Sequence, residues 1–376
     1  MLIGVPAETT AGETRVAVTP ETAKKIIAQG HQVLVQAGAG VAASVTDAAY
    51  EAAGAQITDA AGALGAELVL KVRTPSNAEL VYMKSGAALV GMLNPFDADG
   101  LQRMATAGLT SFALEAAPRT TRAQSMDVLS SQANIAGYKA VMEASNQYQR
   151  FFPMLMTAAG TVKAARVVIL GVGVAGLQAI ATAKRLGAVI EASDVRPSVK
   201  EQVESLGAKF IDVPYETAEE KEAAEGVGGY ARPMPQSWLD RQKIEVAKRV
   251  ALADVVISTA LIPGRAAPVL ISEDMVKSMK PGSVIVDLAA GKGANGVGGN
   301  CPLTETDQTV VKHGVTLVGD TNLPALVAAD ASALYARNVL DFLKMVLPKD
   351  KGFTVDMEDD IVAACLMTQG GEVKRK

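Results

Sequence analysis

Residues that build cross-linked or metal-bound frameworks are scarce in this sequence. Of its 376 residues, two are cysteines and two are histidines. Cys301 stands before Pro302 and Cys365 lies in a late apolar run, so the pattern supports neither a disulfide framework nor a cysteine-ligated metal site. We therefore expect no metal site, and the cysteine usage fits a reducing, cytosolic setting.

A strong excess of either charge is also absent. The 36 basic and 40 acidic residues give a net charge of -4, and the basic residues are dispersed along the chain. This pattern lacks the positive surface that nucleic-acid or anionic-membrane binding needs. Apolar residues make up 49% and charged residues 20% of the sequence, which excludes a disordered chain and, at this length, favours two globular domains.

Neither a signal peptide nor a membrane span is indicated. The strand-like residues 2–5 lead into charged residues rather than into the basic and apolar regions of a signal peptide. The longest uncharged run, 167–183, approaches the length of a membrane span but contains Gly171, Gly173 and Gly176. A strand, a turn and a helix explain that run better, so we expect no insertion into a membrane.

Predicted strands and helices alternate in two stretches of the chain. The strands of the first stretch cover 2–5, 32–35, 67–72, 87–90 and 109–113, and those of the second cover 166–170, 188–192, 208–212, 254–258, 283–287 and 315–318. Such alternation is typical of parallel sheets with crossover helices. The predicted fold class is therefore α/β, with two Rossmann-like, doubly wound domains.

Two long helical patterns link these stretches. They cover 122–152 and 324–347, where apolar residues recur at helical spacing. We predict a first domain formed by 1–130 and 321–376 and a second domain formed by 131–320. The glycine-rich segments 225–238 and 291–299 interrupt the second domain and are predicted to be mobile loops.

A glycine motif in the second domain predicts a dinucleotide site. The run Gly171-Val172-Gly173-Val174-Ala175-Gly176 follows a predicted strand and precedes a predicted helix over 177–186. In that context the first glycine permits a tight turn, the second lets the backbone approach a pyrophosphate, and the third lets the helix pack on the sheet. The amides at the start of the helix would then meet the anion.

The choice of nucleotide depends on residues at the end of the next strand. Asp194 lies 23 residues after Gly171, a spacing that suits hydrogen bonds to a ribose 2′-hydroxyl and repels a 2′-phosphate. The motif therefore favours NAD over NADP. Arg196 instead favours NADP, because an arginine can pair with that phosphate.

Other polar residues have a structural explanation beside a functional one. His31 and His313 each precede an apolar strand, where a solvated or capping side chain is usual. Arg15, Lys71 and Arg73 flank strand ends, where ligands gather, yet charged residues there are usually solvated. A polar cluster at the start of the first long helix could face one ligand, or Ser125 and its neighbours could cap that helix. The cluster contains Arg119, Arg122, Gln124, Asp127 and Ser130.

Several motifs together make the sequence similar to one known family. They cover 13–17, 122–127 with 129–131, 171–176, 200–203, 228–231 and 259–264. Over nearly its whole length the chain resembles the NAD(H)-binding component, domain I of the alpha subunit, of the proton-translocating nicotinamide nucleotide transhydrogenase family. The fold of that component is similar to that of alanine dehydrogenase. The segment 290–301 is longer than the family pattern, and Leu326 stands where the family has an arginine.

The resemblance implies direct hydride transfer from NADH to NADP⁺ held on a separate component, docked beside a membrane proton-channel component. The chain would be a homodimer, cytoplasmic, and held at the inner membrane through these partners. Residues around the nicotinamide would be Arg119, Gln124, Asp127 and Ser130, and Tyr230 with Met234 would lie on a loop that closes over the nucleotide. Other contacts would come from the glycine motif with Val174 and Ala175, from Asp194, Val195 and Arg196, and from Ala260 and Leu261. Exchange of a hydride between two nicotinamide rings releases no proton, so no general acid or base is required.

Two alternative functions remain open from the sequence. Arg15 and Lys71 match positions where the alanine dehydrogenase family holds its substrate and transfers a proton. The catalytic histidine of that family would fall in 91–95, which contains none, and deamination must move a proton as well as a hydride. A non-catalytic NAD-sensing module would carry the same glycine motif.

Overall fold

The chain divides into two compact units in the computed structural model, which describes residues 1–225, 234–348 and 352–375. The first unit comprises Met1–Gln132 and Pro324–Lys376, and the second comprises Ala133–Leu323. The predicted domains end at 130 and 320, and the observed units end at 132 and 323.

The first unit contains most of its elements in its N-terminal segment. These elements are β1 (Leu2–Val5), α1 (Pro20–Ala28), β2 (Gln32–Gln36), α2 (Asp47–Ala52), β3 (Gln56–Thr58), α3 (Ala60–Leu64), β4 (Leu68–Arg73), α4 (Asn77–Leu80), β5 (Ala88–Met92), α5 (Ala98–Thr106) and β6 (Thr110–Ala113). Helix α6 (Val128–Gln147) runs across the division into the second unit.

The second unit follows, and the chain then returns to the first. The elements of the second unit are β7 (Leu155–Thr157), β8 (Gly160–Val162), β9 (Arg166–Leu170), α7 (Val174–Arg185), β10 (Val189–Ser193), α8 (Lys200–Ser205), β11 (Lys209–Phe210), α9 (Ala218–Glu225), α10 (Gln236–Val250), β12 (Val255–Ser258), α11 (Glu273–Ser278), β13 (Val284–Asp287), β14 (Thr309–Lys312) and β15 (Val315–Val318). The returning segment forms α12 (Ala328–Val346), α13 (Asp360–Cys365), β16 (Leu366–Gln369) and β17 (Glu372–Val373).

Each unit is built on a doubly wound sheet. The first sheet has the order β17-β16-β6-β5-β4-β1-β2-β3, and the second has the order β11-β10-β9-β12-β13-β15-β14. Strands β1 to β6 pair in parallel, as do β9 to β13 and β15, whereas β14, β16 and β17 pair antiparallel with their neighbours. The predicted α/β class with parallel sheets is confirmed.

The parallel strands of both sheets follow the same spatial order, in which the third, second and first strands are followed by the fourth, fifth and sixth. The direction of winding therefore reverses between β1 and β4 in the first unit and between β9 and β12 in the second. In open α/β sheets, ligands bind in the crevice outside the carboxyl ends of the strands at this reversal. Each unit thus has one place where its topology favours a ligand.

Apolar strands and capped helices account for these sheets. Leu68, Val69 and Leu70 on β4 are each fully buried, as expected of a parallel strand covered on both faces. Helix α1 begins after Thr19, whose hydroxyl accepts a bond from the Thr22 amide while Thr22 bonds back to Thr19. This cap can be read from the sequence alone, because Thr19 is a favourable cap residue and Pro20 suits the first helical turn.

The long helices differ from the prediction at their starts. The segment Thr121–Met126 is a 3₁₀ helix, and α6 begins only at Val128, after Asp127. The segment Leu323–Val327 is likewise a 3₁₀ helix before α12. Apolar spacing over a few residues does not distinguish these two helix types, which explains both errors. The hairpin β7–β8 and the short strands β3, β14, β16 and β17 were not predicted.

The predicted loop 225–238 is partly helical. Helix α9 reaches Glu225 and α10 begins at Gln236, directly after Pro235. Trp238 belongs to α10, is 1% exposed and stacks on Tyr215 with ring centroids 5.7 Å apart. Residues 226–233 lie outside the described residues. Turns and a 3₁₀ helix at Ala294–Gly296 form the segment 291–299, and its mobility stays a prediction.

Candidate nucleotide site

The glycine motif lies at the strand reversal of the second unit. It connects β9 to α7, which begins at Val174 rather than at the predicted residue 177, so Val174 and Ala175 form the first turn of the helix. Gly173 occupies the N-cap position and supplies no side-chain hydrogen bond to the first amides of the helix. Uncapped amides at a helix start carry a partial positive charge and bind anions.

The three glycines meet different surroundings. Gly171 has φ +93°, and a Cβ atom there would stand 2.7 Å from the hydroxyl of Thr259. A Cβ on Gly176 would stand 2.0 Å from the carbonyl oxygen of Gly171, so this glycine lets the helix pack against the strand. A Cβ on Gly173 would meet nothing within 4 Å. The motif therefore leaves open space beside Gly173, as a pyrophosphate requires.

A fourth glycine supports the same helix start. Gly137 lies on α6, and a Cβ there would stand 2.1 Å from the carbonyl oxygen of Ala175. Helix α6 therefore packs closely on the first turn of α7. This contact was not predicted, because a single glycine within a helical pattern gives no signal of a distant contact.

Asp194 lies beside the glycine motif and is paired with Arg196. Its carboxylate accepts the Val172 amide at 2.7 Å and the Arg196 amide at 2.9 Å. The Arg196 guanidinium donates to both carboxylate oxygens at 2.9 Å, and it also donates to the Val172 carbonyl at 3.1 Å. Asp194, which favours NAD, and Arg196, which favours NADP, therefore form one ion pair. Val195 lies between them in the sequence.

The opposite wall of the crevice follows β12. The Thr259 hydroxyl donates to the Gly171 carbonyl at 2.8 Å, which ties the end of β12 to the glycine motif. Ala260 comes next, and Leu261 is 48% exposed. Asn300 holds Ala260 through two hydrogen bonds, one at 3.0 Å and one at 2.9 Å. Ala260 and Leu261 were expected at the site from the family resemblance, whereas Asn300 was missed.

The predicted polar cluster lies in the first unit, at the junction between the 3₁₀ helix and α6. Asp127 caps α6: its carboxylate accepts the Ser130 amide at 2.9 Å and the Ser130 hydroxyl at 2.6 Å. The capping side chain is thus Asp127, two residues after Ser125. Gln124 lies in the 3₁₀ helix rather than in α6, and it and Arg119 are exposed. The predicted helix over 122–152 therefore begins later than expected, and the expectation that Gln124, Asp127 and Ser130 face one ligand stays a prediction.

Helix α12 holds this junction from the side. The Asn338 side chain donates to the Ser125 backbone carbonyl at 2.7 Å, and the Ser131 hydroxyl donates to the Asn338 side-chain oxygen at 2.7 Å. These two bonds reach both sides of Asp127. The junction that carries the predicted cluster is therefore a fixed part of the first unit, and its role toward nicotinamide stays a prediction.

Charged residues fill the strand reversal of the first unit. Arg15 is 2% exposed, and its guanidinium donates to both carboxylate oxygens of Glu13, at 2.7 and 2.6 Å, and to the Gln132 side-chain oxygen at 2.7 Å. Arg73 donates to the same Glu13 carboxylate at 2.8 Å. Burial alone would raise the pKa of Glu13, but the hydrogen bonds and charge of Arg15, followed by the charge of Arg73, lower it to about 2.

Lys71 forms a second buried group at the end of β4. It is 1% exposed and lies 2.6 Å from the Glu79 carboxylate and 3.2 Å from that of Glu8. Burial raises the pKa of Glu8. Burial also acts on Glu79, but there the charge and hydrogen bond of Lys71 outweigh it and lower the pKa. The expectation that Arg15 and Lys71 are solvated was wrong, because strand ends at the reversal are enclosed rather than exposed.

The predicted closing loop lies only partly within the described residues. Tyr230 lies outside the described residues, and Met234 is 8% exposed and packs in a small apolar cluster with Trp238. Among residues 1–225, 234–348 and 352–375, none of the helices combines the length and the apolar content of a membrane span. The uncharged run 167–183 forms β9, the glycine turn and most of α7, as predicted.

Known proteins share this architecture along the whole chain. The models "Alanine dehydrogenase/PNT, N-terminal domain" and "Alanine dehydrogenase/PNT, C-terminal domain" match residues 4–136 and 140–376. The chain is 50% identical to an NAD(P) transhydrogenase subunit alpha protein of Rhodospirillum rubrum, over 99% of this chain and 97% of that protein. A crystal structure of transhydrogenase from Sinorhizobium meliloti matches with a TM-score of 0.88 at 46% identity, covering 99% of this chain and 100% of that one. Alanine dehydrogenase of Bacillus subtilis is 31% identical over 87% of this chain and 80% of that protein.

Proposed function

The chain belongs to the family of alanine dehydrogenases and nicotinamide nucleotide transhydrogenases, and we propose that it is the NAD(H)-binding subunit of a transhydrogenase. In this proposal NADH bound at the glycine motif passes hydride directly to NADP⁺ on a partner component. The relatives at 41–50% identity are named as transhydrogenase alpha subunits, and alanine dehydrogenases are more distant.

One observation carries the proposal: a crevice at the strand reversal of the second unit with an uncapped helix start. The space beside Gly173 is open, and the amides of α7 have no capping side chain. A dinucleotide needs both features, one for the approach of its pyrophosphate and one for its charge. We assign Gly171, Gly173, Val174, Ala175 and Gly176 to this contact.

The first unit argues against amino-acid oxidation. Arg15 is engaged by Glu13, and Lys71 by Glu79 and Glu8, so carboxylates of the chain itself occupy the cations that would hold a substrate carboxylate. The segment 91–95 supplies no histidine for proton transfer. Hydride exchange between nicotinamide rings needs no such proton, and its main requirement is placement of the two rings. We therefore assign Arg119, Gln124, Asp127 and Ser130 to nicotinamide placement rather than to acid–base chemistry.

The preference for NAD(H) over NADP(H) is a finer part of the proposal. Asp194 is the group that would bond the ribose hydroxyls and repel a 2′-phosphate. Its pairing with Arg196 brings a cation to the same place, so the preference depends on which of the two faces the ribose. We propose that the Asp194 carboxylate faces the ribose and that Arg196 holds this carboxylate in place. Val195 lies between the two residues in the sequence. Tyr230 is proposed to close over the bound nucleotide.

The partners follow from the same interpretation. We propose an NADP(H)-binding component as the hydride acceptor and a membrane component that couples transfer to proton translocation. The reaction would be of the Si–Re, B-specific type. The chain would then be cytoplasmic and peripheral at the inner membrane, reaching the membrane only through these partners.

A homodimer is part of this proposal, and the hairpin β7–β8 supports it. Within the part of the chain that the structure describes, its strands pair only with each other, and isolated two-stranded hairpins are marginally stable in water. Among the described residues, four large apolar side chains are exposed on or beside it: Phe151 at 56%, Met154 at 60%, Met156 at 74% and Val162 at 38%. A second copy of the chain would cover them, which sedimentation of the wild-type chain and of Met156→Glu can test.

The decisive experiment mixes the chain with a purified NADP(H)-binding component. Hydride transfer from NADH to a nucleotide analogue on that component is followed by absorbance. Transfer that requires both proteins supports the proposal. Oxidation of NADH with pyruvate and ammonia, without the component, would instead favour the dehydrogenase, and nucleotide binding without either reaction would favour a sensing module.

A further inference from the structure

A buried polar network lies behind the nucleotide crevice of the second unit. Asp287 ends β13 and is 1% exposed, and Asn300 is fully buried. Neither residue belongs to the glycine motif or to the residues assigned above. Burying a carboxylate and an amide is unfavourable unless their hydrogen bonds are satisfied, so the contacts of both side chains indicate what they hold in place.

The Asp287 carboxylate accepts hydrogen bonds from neutral groups. One oxygen accepts the Ser258 hydroxyl at 3.1 Å, the Ala289 backbone amide at 3.0 Å and the Asn300 backbone amide at 3.3 Å. The other oxygen accepts the Cys301 amide at 2.9 Å and the Thr304 hydroxyl at 3.1 Å. The Asp287 carboxylate thus joins the end of β12 to the turn formed by residues 300–304.

The side chain of Asn300 extends from this turn to Ala260. Its carbonyl oxygen accepts the Ala260 amide at 3.0 Å, and its amide nitrogen donates to the Ala260 carbonyl at 2.9 Å and to the Pro268 carbonyl at 2.8 Å. Because one side of the contact is an N–H and the other a carbonyl, only this orientation of the amide satisfies both. Asn300 therefore holds the backbone of Ala260 as a neighbouring strand would.

We propose that Asn300, oriented by Asp287, is a positioning residue for NAD(H) binding. Ala260 follows Thr259, whose hydroxyl is bonded to the Gly171 carbonyl, so Asn300 sets the wall that faces the glycine motif. A preformed wall binds a ligand more tightly, because no ordering of the loop is needed on binding. The inference rests on the proposed function only for the identity of the ligand.

The test compares Asn300→Ala with Thr304→Val in the full chain. Both variants lose buried side-chain hydrogen bonds around the turn that Asp287 holds, but only Asn300→Ala loses the two bonds to Ala260. Calorimetry gives the Kd for NADH, and thermal unfolding gives the Tm without nucleotide. We expect both variants to lower the Tm, and we expect only Asn300→Ala to weaken NADH binding, by about 10-fold.

The outcomes separate this inference from the proposed function. Unchanged NADH affinity in Asn300→Ala, or an equal loss in Thr304→Val, overturns the positioning role. If Asn300→Ala does not fold, Asn300→Ser takes its place. The serine side chain is also too short to reach Ala260, but its hydroxyl can bond a water molecule in the space that the amide leaves. A wild-type chain that binds NADH but does not pass hydride to the NADP(H)-binding component contradicts the proposed function and leaves the binding comparison intact.

Discussion

The two units have the same order of parallel strands, yet their strand reversals differ in what fills them. In the second unit, glycines and uncapped amides leave an open crevice between β9 and β12. In the first unit, side chains at and near the ends of β1 and β4 close the corresponding place with ion pairs between Arg15 and Glu13 and between Lys71 and Glu79. Topology therefore identifies where a ligand can bind, and the side chains decide whether the place is available.

The closed reversal has the chemistry of a carboxylate site. The two-pronged contact between Arg15 and Glu13 is the geometry with which an arginine binds a carboxylate ligand. In this chain the carboxylate is intramolecular, so the Arg15 guanidinium has a carboxylate partner without a ligand. The first reversal thus stabilises the fold, whereas the second is open to a nucleotide.

The largest expected effect comes from opening the first reversal. Glu13→Ala removes the carboxylate from the buried Arg15 and should lower the free energy of unfolding by about 3–5 kcal/mol, measured by urea denaturation. The Kd for NADH should change by less than about 2-fold, because the open crevice is in the other unit. Since the Glu13 pKa of about 2 lies below its ordinary value of 4.5, the wild-type chain should also lose this stability as the pH falls from 4.5 toward 2.

The matched control for that change is Glu21→Ala. Glu21 pairs with Lys25 and Arg337 on the surface, where its side chain is 48% exposed, and its loss should lower the free energy of unfolding far less than the loss of Glu13. If Glu13→Ala is as mild as this control, the ion pair does not close the reversal as described. Acetate should restore part of the stability of Glu13→Ala and leave Glu21→Ala unchanged.

The next largest effect is expected on the rate of hydride transfer and not on the affinity for NADH. Gln124→Asn keeps the amide but withdraws it by one methylene, so NADH affinity should remain near normal. Hydride transfer to partner-bound NADP⁺ should slow by about 100-fold, as expected for a displacement of about 1 Å. Single-turnover kinetics with the NADP(H)-binding component measure this rate, and Gln102→Asn on α5 is the control. Equal losses of affinity and rate would mean that Gln124 only binds nucleotide.

A smaller effect is expected from closing the open crevice. Gly173→Ala adds a methyl group that meets no atom within 4 Å, so stability should hold, while NADH affinity should fall by about 10-fold or more because the group enters the pyrophosphate space. Gly176→Ala, whose Cβ would clash with the Gly171 carbonyl, should lose both stability and affinity. Normal NADH binding by Gly173→Ala, measured by calorimetry, would place the pyrophosphate elsewhere.

The smallest effect concerns the choice between nucleotides. The wild-type chain should bind NADH several-fold more tightly than NADPH, because Asp194 repels the 2′-phosphate. Asp194→Ala should narrow this ratio, since it removes the repulsion and releases Arg196 from its carboxylate. Asp212→Ala, which breaks only an exposed pair with Lys200, should leave the ratio unchanged. Comparable affinities in the wild-type chain, measured by calorimetry, would make Arg196 the phosphate ligand.

Local patterns in the sequence predicted much of this structure. The strands 2–5, 166–170 and 315–318 match β1, β9 and β15, because continuous apolar runs between turn residues are a local signal. The cap at Thr19 and the strand-turn-helix around Gly171 are local for the same reason. The choice between 3₁₀ and α helix at 121–126 was missed, because apolar spacing over a few residues does not distinguish the two helix types.

Contacts between distant residues account for the missed parts of the candidate site. Asn300 bonds to Ala260, 40 residues away, and Gly137 packs on Ala175. Neither pairing has a signature in sequence spacing. Arg15 and Lys71 were recognised at strand ends, but their burial became evident only once Glu13, Glu79 and Glu8 were placed beside them.

The split composition of the first unit has a consequence for biosynthesis. Its sheet places β16 beside β6, where the Thr368 hydroxyl donates to the Leu109 carbonyl, and its core includes Tyr335 and Phe342 from α12. Strand β16 and helix α12 are translated after the second unit. Since domains form as units while the chain emerges, the second unit can fold on the ribosome first, and the unit that is started earliest is finished last. Until then β6 is an open edge, and the unpaired backbone groups of such an edge can pair with another chain.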